Sequence, residues 1–253
     1  MLRIVIHSGD GLTSAIIWAC ALLVMDGETL PKRLRPTPLG CVLGTALILW
    51  VLMRSPTLLS VMPLITGIAL ALLARPWREM GRFAPVLLIL ALLAPMRLLV
   101  ILTPVAKLSE ITAWLSEMLL VLCGVPVQRQ GHAVLLPGGG VSVAGPCSGI
   151  SIIVQVLLVA LIFMVAFPMR HRWQNVLMVS LAPLLAWLVN GVRISVLALI
   201  TASSWSGKLW WFDFFHHSWG SHLFAGLAMV VFIALYVHWQ GRQVARLSQL
   251  DQR

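Results

Sequence analysis

The chain has 253 residues, 60% of them hydrophobic and only 10% charged, with a mean hydropathy of +0.96. Ordinary soluble domains carry about 25% charge, so the composition excludes a soluble globular protein, and apolar runs recur too often for a secretory signal to explain them. The net charge of +10 does not indicate nucleic acid, because the basic residues gather in short links between apolar runs, as the positive-inside rule produces.

The first predicted span covers residues 11–25, with His7 and Asp10 ahead of it. A basic link at 26–38 holds Lys32, Arg33 and Arg35, and a second span follows at 39–53. The turn Arg54-Ser55-Pro56 returns the chain into a third span at 57–74, closed by Arg75, Arg78 and Arg82. A fourth, short or tilted span at 83–94 meets Pro95 and Arg97. These runs lie at or below the roughly 20 residues needed to cross a bilayer core.

Residues 97–123 have a different character. Lys107, Glu110 and Glu117 interrupt them while Leu108, Ile111, Leu115, Met118, Leu119 and Leu122 recur at helical spacing. This predicts an amphipathic helix at the interface or packed against the bundle. Beyond Gly124-Val125-Pro126, two alternating stretches at 132–135 and 141–143 flank Pro137-Gly138-Gly139-Gly140. They predict a hairpin outside the bilayer, since an unpaired strand edge cannot lie in lipid.

A span at 148–167 ends at Pro168 and the basic link Arg170-His171-Arg172. A long one at 176–200 carries Pro183 inside and Asn190 and Arg193 toward its far end. Residues 201–218 read as an external loop with Trp205, Trp210 and Trp211, the composition of a headgroup belt. The last span, 219–239, precedes Arg242, Arg246 and Arg253. Eleven of the 18 Lys and Arg fall in the four links containing Lys32, Arg75, Arg170 and Arg242. That bias puts those links in the cytoplasm, and Cys147 with the 201–218 loop outside. It favours seven crossings with the N-terminus outside, and the apolar run 118–125 keeps an eighth open. The expected fold is an all-α polytopic membrane protein, a bundle of seven or eight transmembrane helices with a short extracytoplasmic hairpin before Cys147. It is read as a single membrane domain, with N-terminal helices at 1–94 and a second part at 95–253.

Of the four cysteines, Cys20 and Cys41 lie in hydrophobic runs, where cysteine acts as a small apolar filler. With Cys123 and Cys147 they form neither a CxxC pair nor a metal cluster, and no phosphate loop, haem ligand pair or HExxH motif calls for a cofactor. Only Cys147 has turn-forming neighbours, in Gly145-Pro146-Cys147-Ser148-Gly149-Ile150. A thiol at a helix start faces free N–H groups and the positive end of the dipole, which favour thiolate. The other reading is an unreactive cysteine at a helix end. Ser148 is an alternative nucleophile or a cap, serine needing the stronger activating partner. Ser151 and Gln155, at i+4 and i+8 from Cys147, predict a polar stripe toward the bundle interior.

Arg193 lies within a span, where an arginine costs about 2.5–3.5 kcal/mol on insertion scales, and is a site candidate by default. Asn190, three residues earlier, can orient it. Its guanidinium can hold an oxyanion or a substrate carboxylate, or it can simply snorkel to the headgroups. His216 has the pKa to take a proton from a thiol and pass it on. Gly220 and Phe224 follow it at i+4 and i+8, Asp213 three residues earlier can fix its tautomer, and His217 and His222 compete for the role.

Together these motifs carry a resemblance. Cys-Ser-Gly-Ile at 147–150, Asn-x-x-Arg-Ile at 190–194 and His-x-x-x-Gly-x-x-x-Phe at 216–224 stand in the order and placement of the exosortase/archaeosortase family. The Gly-Val-Pro-Val at 124–127, Gly131-His132 and Leu136-Pro137-Gly138 resemble that family's extracytoplasmic hairpin. The likeness runs from about Pro95 to the last span, which would make 95–253 an exosortase-like catalytic core. The resemblance implies a bacterial inner-membrane cysteine transpeptidase with its site facing the periplasm or outside. Its substrates would be exported proteins ending in a Pro-Glu-Pro-type motif, a transmembrane helix and a basic tail, with an exopolysaccharide or lipid-linked acceptor. By the same carry-over Cys147 is the nucleophile, His216 the general acid/base and Arg193 the transition-state or substrate-binding residue. Asn190, Asp213, His217, Gly220 and Ser148 support them. Pro146, where many members have alanine, and the doubled histidine depart from the pattern. A membrane endopeptidase releasing its product to water, and a polytopic transporter passing an anion, are the rival readings.

Overall fold

In lipid, a backbone segment must satisfy its own N–H and C=O groups, which leaves helices as the natural state of so apolar a chain. The computed structural model is mostly helical and describes residues 17–19, 21–22, 37–52, 61–92, 99–217 and 219–250. Of the predicted first span only residues 17–19 and 21–22 are described, and they are helical; the rest of it and most of the link at 26–38 lie outside the described residues. The chain divides into two units, one of residues 1–99 and 161–168, the other of residues 100–160 and 169–253.

In the first unit, α1 (Pro38–Leu52) packs on α2 (Met62–Ala74). Gly40 and Gly44 make the approach close: a Cβ on Gly40 would sit 2.7 Å from the carbonyl oxygen of Leu72, and one on Gly44 3.0 Å from that of Ala69. This is the small-xxx-small contact by which membrane helices gain packing without a hydrophobic driving force. The predicted basic link forms a 3₁₀ turn, Trp77–Phe83, in which Glu79 pairs with Arg75 at 3.2 Å and Arg82 at 3.7 Å. The fourth predicted span is reduced to α3 (Ala84–Ala91), whose 8 residues rise about 12 Å, well short of a bilayer core.

In the second unit, α4 (Val105–Leu122) packs along α6 (Arg172–Ala202), and α6 along α8 (Trp219–Leu250). Helix α5 (Ile150–Ala166) precedes α6. Among the described residues, two stretches are long and apolar enough to cross a membrane, Arg172–Ala202 and His222–Arg242, while Pro38–Trp50, Met62–Ala74 and Ile150–Ala166 are shorter apolar helices.

Helix α4 splits its predicted stripe, burying Leu115 and half-burying Leu108 and Leu119 while exposing Ile111, Met118 and Leu122. It buries Ser109, Thr112, Ala113, Leu115, Ser116 and Leu120, and leaves Ile111, Trp114, Met118, Val121 and Leu122 exposed. Large apolar side chains facing outward and small polar ones facing a neighbouring helix is the arrangement expected in a membrane, where lipid is as apolar as leucine.

Between α4 and α5 the predicted hairpin acquires a third strand. β1 (Gln128–Gln130), β2 (Ala133–Leu136) and β3 (Gly139–Ser142) form an antiparallel meander. Its turn is only Pro137-Gly138, with Gly138 at φ +95, so Gly139 and Gly140 belong to the strand rather than to the turn. Gly139 passes against the backbone of Thr201 at the end of α6, a distance that any side chain would prevent. Val134, Leu136 and Val141 face inward and share one core with Ala113, Leu120, Ile194, Leu197 and Ala198. The free edge of β1 is covered from α4, where Glu117 accepts from the Arg129 backbone N–H at 3.2 Å and from its guanidinium Nε at 3.1 Å.

Candidate active site

Cys147 lies in a 3₁₀ turn, Gly145–Ser148, hung from β3 and placed just before α5. Its N–H closes the turn on the Ala144 carbonyl at 3.0 Å. Gly149 follows at φ +92, a left-handed conformation that separates the turn from the helix. The thiol is therefore not on the axis of α5, and helical spacing counted from it fails. Ser151, predicted to continue a stripe inward, is exposed, and Gln155 is half-buried. Ser148 is fully buried and its hydroxyl accepts from the Ile150 N–H at 3.4 Å, the local capping use of a serine.

The residue is 1% exposed and belongs to the core shared by the sheet and α6. Burial pushes the thiol up from the ordinary range, and the positive charge of Arg193 draws it only part of the way back. The expectation that helix-end amides leave the group as thiolate is thus outweighed by desolvation.

Asn190 and Arg193 project from one face of α6 toward this turn. Asn190 is wholly buried; its Nδ2 donates to the Cys147 carbonyl at 3.1 Å and its Oδ1 accepts from Arg193 Nη1 at 3.3 Å. A Cβ on Gly149 would lie 2.6 Å from Asn190 Nδ2, so only glycine lets the amide reach the turn. Arg193 is 1% exposed, which rules out snorkelling. Besides Asn190 it donates through Nε to the Phe215 carbonyl at 3.1 Å and through Nη2 to the His216 carbonyl at 3.0 Å.

These carbonyls end a helix that the predicted external loop conceals. Helix α7 (Lys208–His217) has ten residues, and its last four carbonyls lack intrahelical partners. The guanidinium takes two of them and meets the negative end of the dipole. Phe212 and Phe215 of α7 pack on the core that contains Cys147, and the His216 ring stacks on Phe212 with centroids 5.0 Å apart and 14° between planes. His216 and Gly220 stand on different helices, so their i+4 relation is not that of one helix face. Gly220 instead lets the start of α8 approach α7: a Cβ there would lie 2.7 Å from the Phe214 carbonyl oxygen. Asp213 is exposed, and His217 ends α7.

One set of residues is missed by the sequence reasoning. Thr112 of α4 donates to the Ser148 carbonyl at 2.9 Å and accepts from the indole N–H of Trp187 at 3.2 Å. Below it Ser116 donates to the carbonyls of Thr112 and Gly191 at 2.9 and 3.2 Å, and Ser195 to those of Gly191 and Ser116 at 3.0 and 3.3 Å. The polar stripe of this unit thus lies between α4 and α6. Ser109-x-x-Thr112-x-x-x-Ser116 on α4 was its only written trace.

Hydrogen bonds through Asn190 and Arg193 thus join the backbone of the cysteine turn to the backbone of His216, which brings the three sequence motifs together. A sequence model of the transmembrane exosortase family (Exosortase_EpsH) matches residues 9–234. The chain belongs to that family. It is therefore a membrane protein, and exosortases are in general cysteine transpeptidases. No curated protein and no solved structure matches the chain.

Proposed function

We propose that this exosortase cleaves the C-terminal sorting signal of exported, membrane-tethered proteins and transfers the new C-terminus to a surface acceptor. The reading includes a bundle of seven or eight crossings in a bacterial inner membrane, with the site at the extracytoplasmic face. The observation that carries it is the buried Arg193, tied through Asn190 to the Cys147 carbonyl and directly to the His216 carbonyl.

In this mechanism Cys147 rests as a neutral thiol, because burial disfavours its anion. Proton removal is then coupled to attack: His216 takes the thiol proton as sulfur bonds to a backbone carbonyl carbon of the substrate. Arg193 has five N–H groups, of which three are used on protein acceptors. The others are available to the developing oxyanion. Collapse of the tetrahedral intermediate breaks the C–N bond, the imidazolium protonates the departing amine, and a thioester remains. A nucleophile from the acceptor then displaces the thiol, which recovers its proton. Asn190 holds the turn, and Ser148 and Gly220 fix the backbone on either side.

The test is the membrane-inserted full chain with a reporter ending in a short motif, an apolar helix and a basic tail. Wild type should yield a thioester-linked acyl-enzyme that peptide mass spectrometry locates on Cys147, and Cys147→Ala or Cys147→Ser should abolish both adduct and processing. Undiminished processing by both variants would refute the assignment, and a product with a free carboxylate terminus would replace transfer by hydrolysis.

A further inference from the structure

The hydroxyl of Thr112 occupies a position that packing alone does not explain. It is fully buried between α4 and α6, and its single donor is spent on the carbonyl of Ser148, the residue that follows the cysteine. The donor direction is not free, because the indole N–H of Trp187 occupies an acceptor site of the same oxygen at 3.2 Å. Asn190 meanwhile holds the Cys147 carbonyl from α6 at 3.1 Å. Two consecutive carbonyls of the cysteine turn are thus gripped from two helices, and beyond them Gly149 supplies a left-handed hinge at φ +92. We infer that Thr112, oriented by Trp187, is a positioning residue that fixes the backbone of the Cys147 turn and so the direction of the thiol.

The inference rests on the proposed nucleophile role of Cys147, but its physical content can be read without any substrate. Removing the hydroxyl leaves the buried Ser148 carbonyl and the half-buried Trp187 N–H without their partner. The turn then has one anchor in place of two and a glycine about which to swing. Its thiol, 1% exposed at rest, should become easier to reach but worse aimed. Misplacement by about 1 Å is enough for a 10²-fold loss in a positioned reaction.

Full-length protein with Cys147 as its only cysteine would be compared with three variants in the same background. Thr112→Val keeps the shape and deletes the hydroxyl, Thr112→Ser keeps the hydroxyl, and Ser116→Ala removes a neighbouring hydroxyl of the same seam that does not touch the cysteine turn. Two readouts are taken, the rate of iodoacetamide alkylation and the processing of the tailed reporter. Thr112→Val should alkylate about tenfold faster and process on the order of 100-fold slower. Thr112→Ser should restore both rates, and Ser116→Ala should leave alkylation as in the parent. Parental alkylation in Thr112→Val overturns the inference. So does an equal rise in Ser116→Ala, which would mean general loosening of the seam, or a failure of Thr112→Ser to rescue. If the parent leaves the reporter uncut while the alkylation pattern holds, the peptidase reading fails and the positioning role stands. If the parent cuts the reporter and Thr112→Val does so equally fast, the positioning role fails alone.

Discussion

Replacing Arg193 by lysine keeps the charge and removes the fork, which makes it the sharpest test of how this arginine works. The guanidinium makes three hydrogen bonds, to the Phe215 and His216 carbonyls and to Asn190, while being 1% exposed. Hydrogen bonds to charged groups contribute about 1.5–3 kcal/mol each. A lysine has one nitrogen on a flexible stem and cannot span two helix-end carbonyls and an amide together. Loss of one of the two bonds to α7 should therefore make opening of its last turn about 10–150-fold more frequent. Hydrogen exchange of the amides around Phe215 and His216, followed by mass spectrometry in detergent or nanodiscs, reads this directly. Processing of the tailed reporter should fall by at least tenfold in parallel, because the imidazole hangs from the loosened turn. Unchanged exchange in α7 with processing lost would refute the reasoning, since arginine would then act on the substrate without acting on the helix.

Alkylation of Cys147 should titrate with a midpoint above the ordinary thiol value of about 8.5, and Arg193→Gln should move it further up, because the charge that opposes the burial effect is gone. The folded-state value is the higher one, so the unfolded chain sheds its proton first as pH rises. Stability should fall through and above the ordinary thiol range, and Cys147→Ala should remove that slope in thermal melts. In Asn190→Asp the Nδ2 donor becomes an oxygen facing the Cys147 carbonyl, while the pairing with Arg193 is kept. Reporter processing should drop about tenfold or more, and the melting temperature should fall with it because a buried carbonyl loses its donor. Gly149→Ala combines a left-handed backbone costing about 1–2 kcal/mol with a clash on Asn190, so both melting temperature and processing should fall.

The candidate site residues stand out in the sequence because each sits where its type is out of place: a thiol in a turn, an arginine in an apolar helix, histidines beside tryptophans. The sequence also shows the α4 helix, although not the whole of its buried face. Of the stripe Leu108, Ile111, Leu115, Met118 and Leu122, the fold buries Leu115 and exposes Ile111, Met118 and Leu122, while the buried face also carries Ser109, Thr112 and Ser116, which apolar periodicity does not register. Helix α7 was hidden because ten residues rich in Trp and Phe carry no distinct helical period, and its stability comes from the caps and contacts that Arg193 and Phe212 provide. Spacing rules misled at Cys147 and His216 for one reason. Each rule presumed a continuous helix, and the chain breaks its helices at Gly149 and after His217.

Those breaks are what allow a site to exist on such a scaffold. A helix satisfies its own backbone and offers nothing to a reacting group except at its ends. Here the Cys147 turn before α5 and the end of α7 supply the free carbonyls of Cys147, Ser148, Phe215 and His216, each taken by a side chain from α4 or α6. Because these groups are buried, each of these bonds is stronger than its surface equivalent and costlier to leave unmade. The donors are therefore fixed before any substrate arrives, as electrostatic stabilisation of a transition state requires. Burial of the thiol is the other side of that arrangement. Phe212 and Phe215 of α7 pack on the core that contains it, so the position of α7 and the packing around the thiol are linked. Arg193, which donates to the Phe215 and His216 carbonyls, holds the end of α7, and with it the stem of the imidazole, against α6.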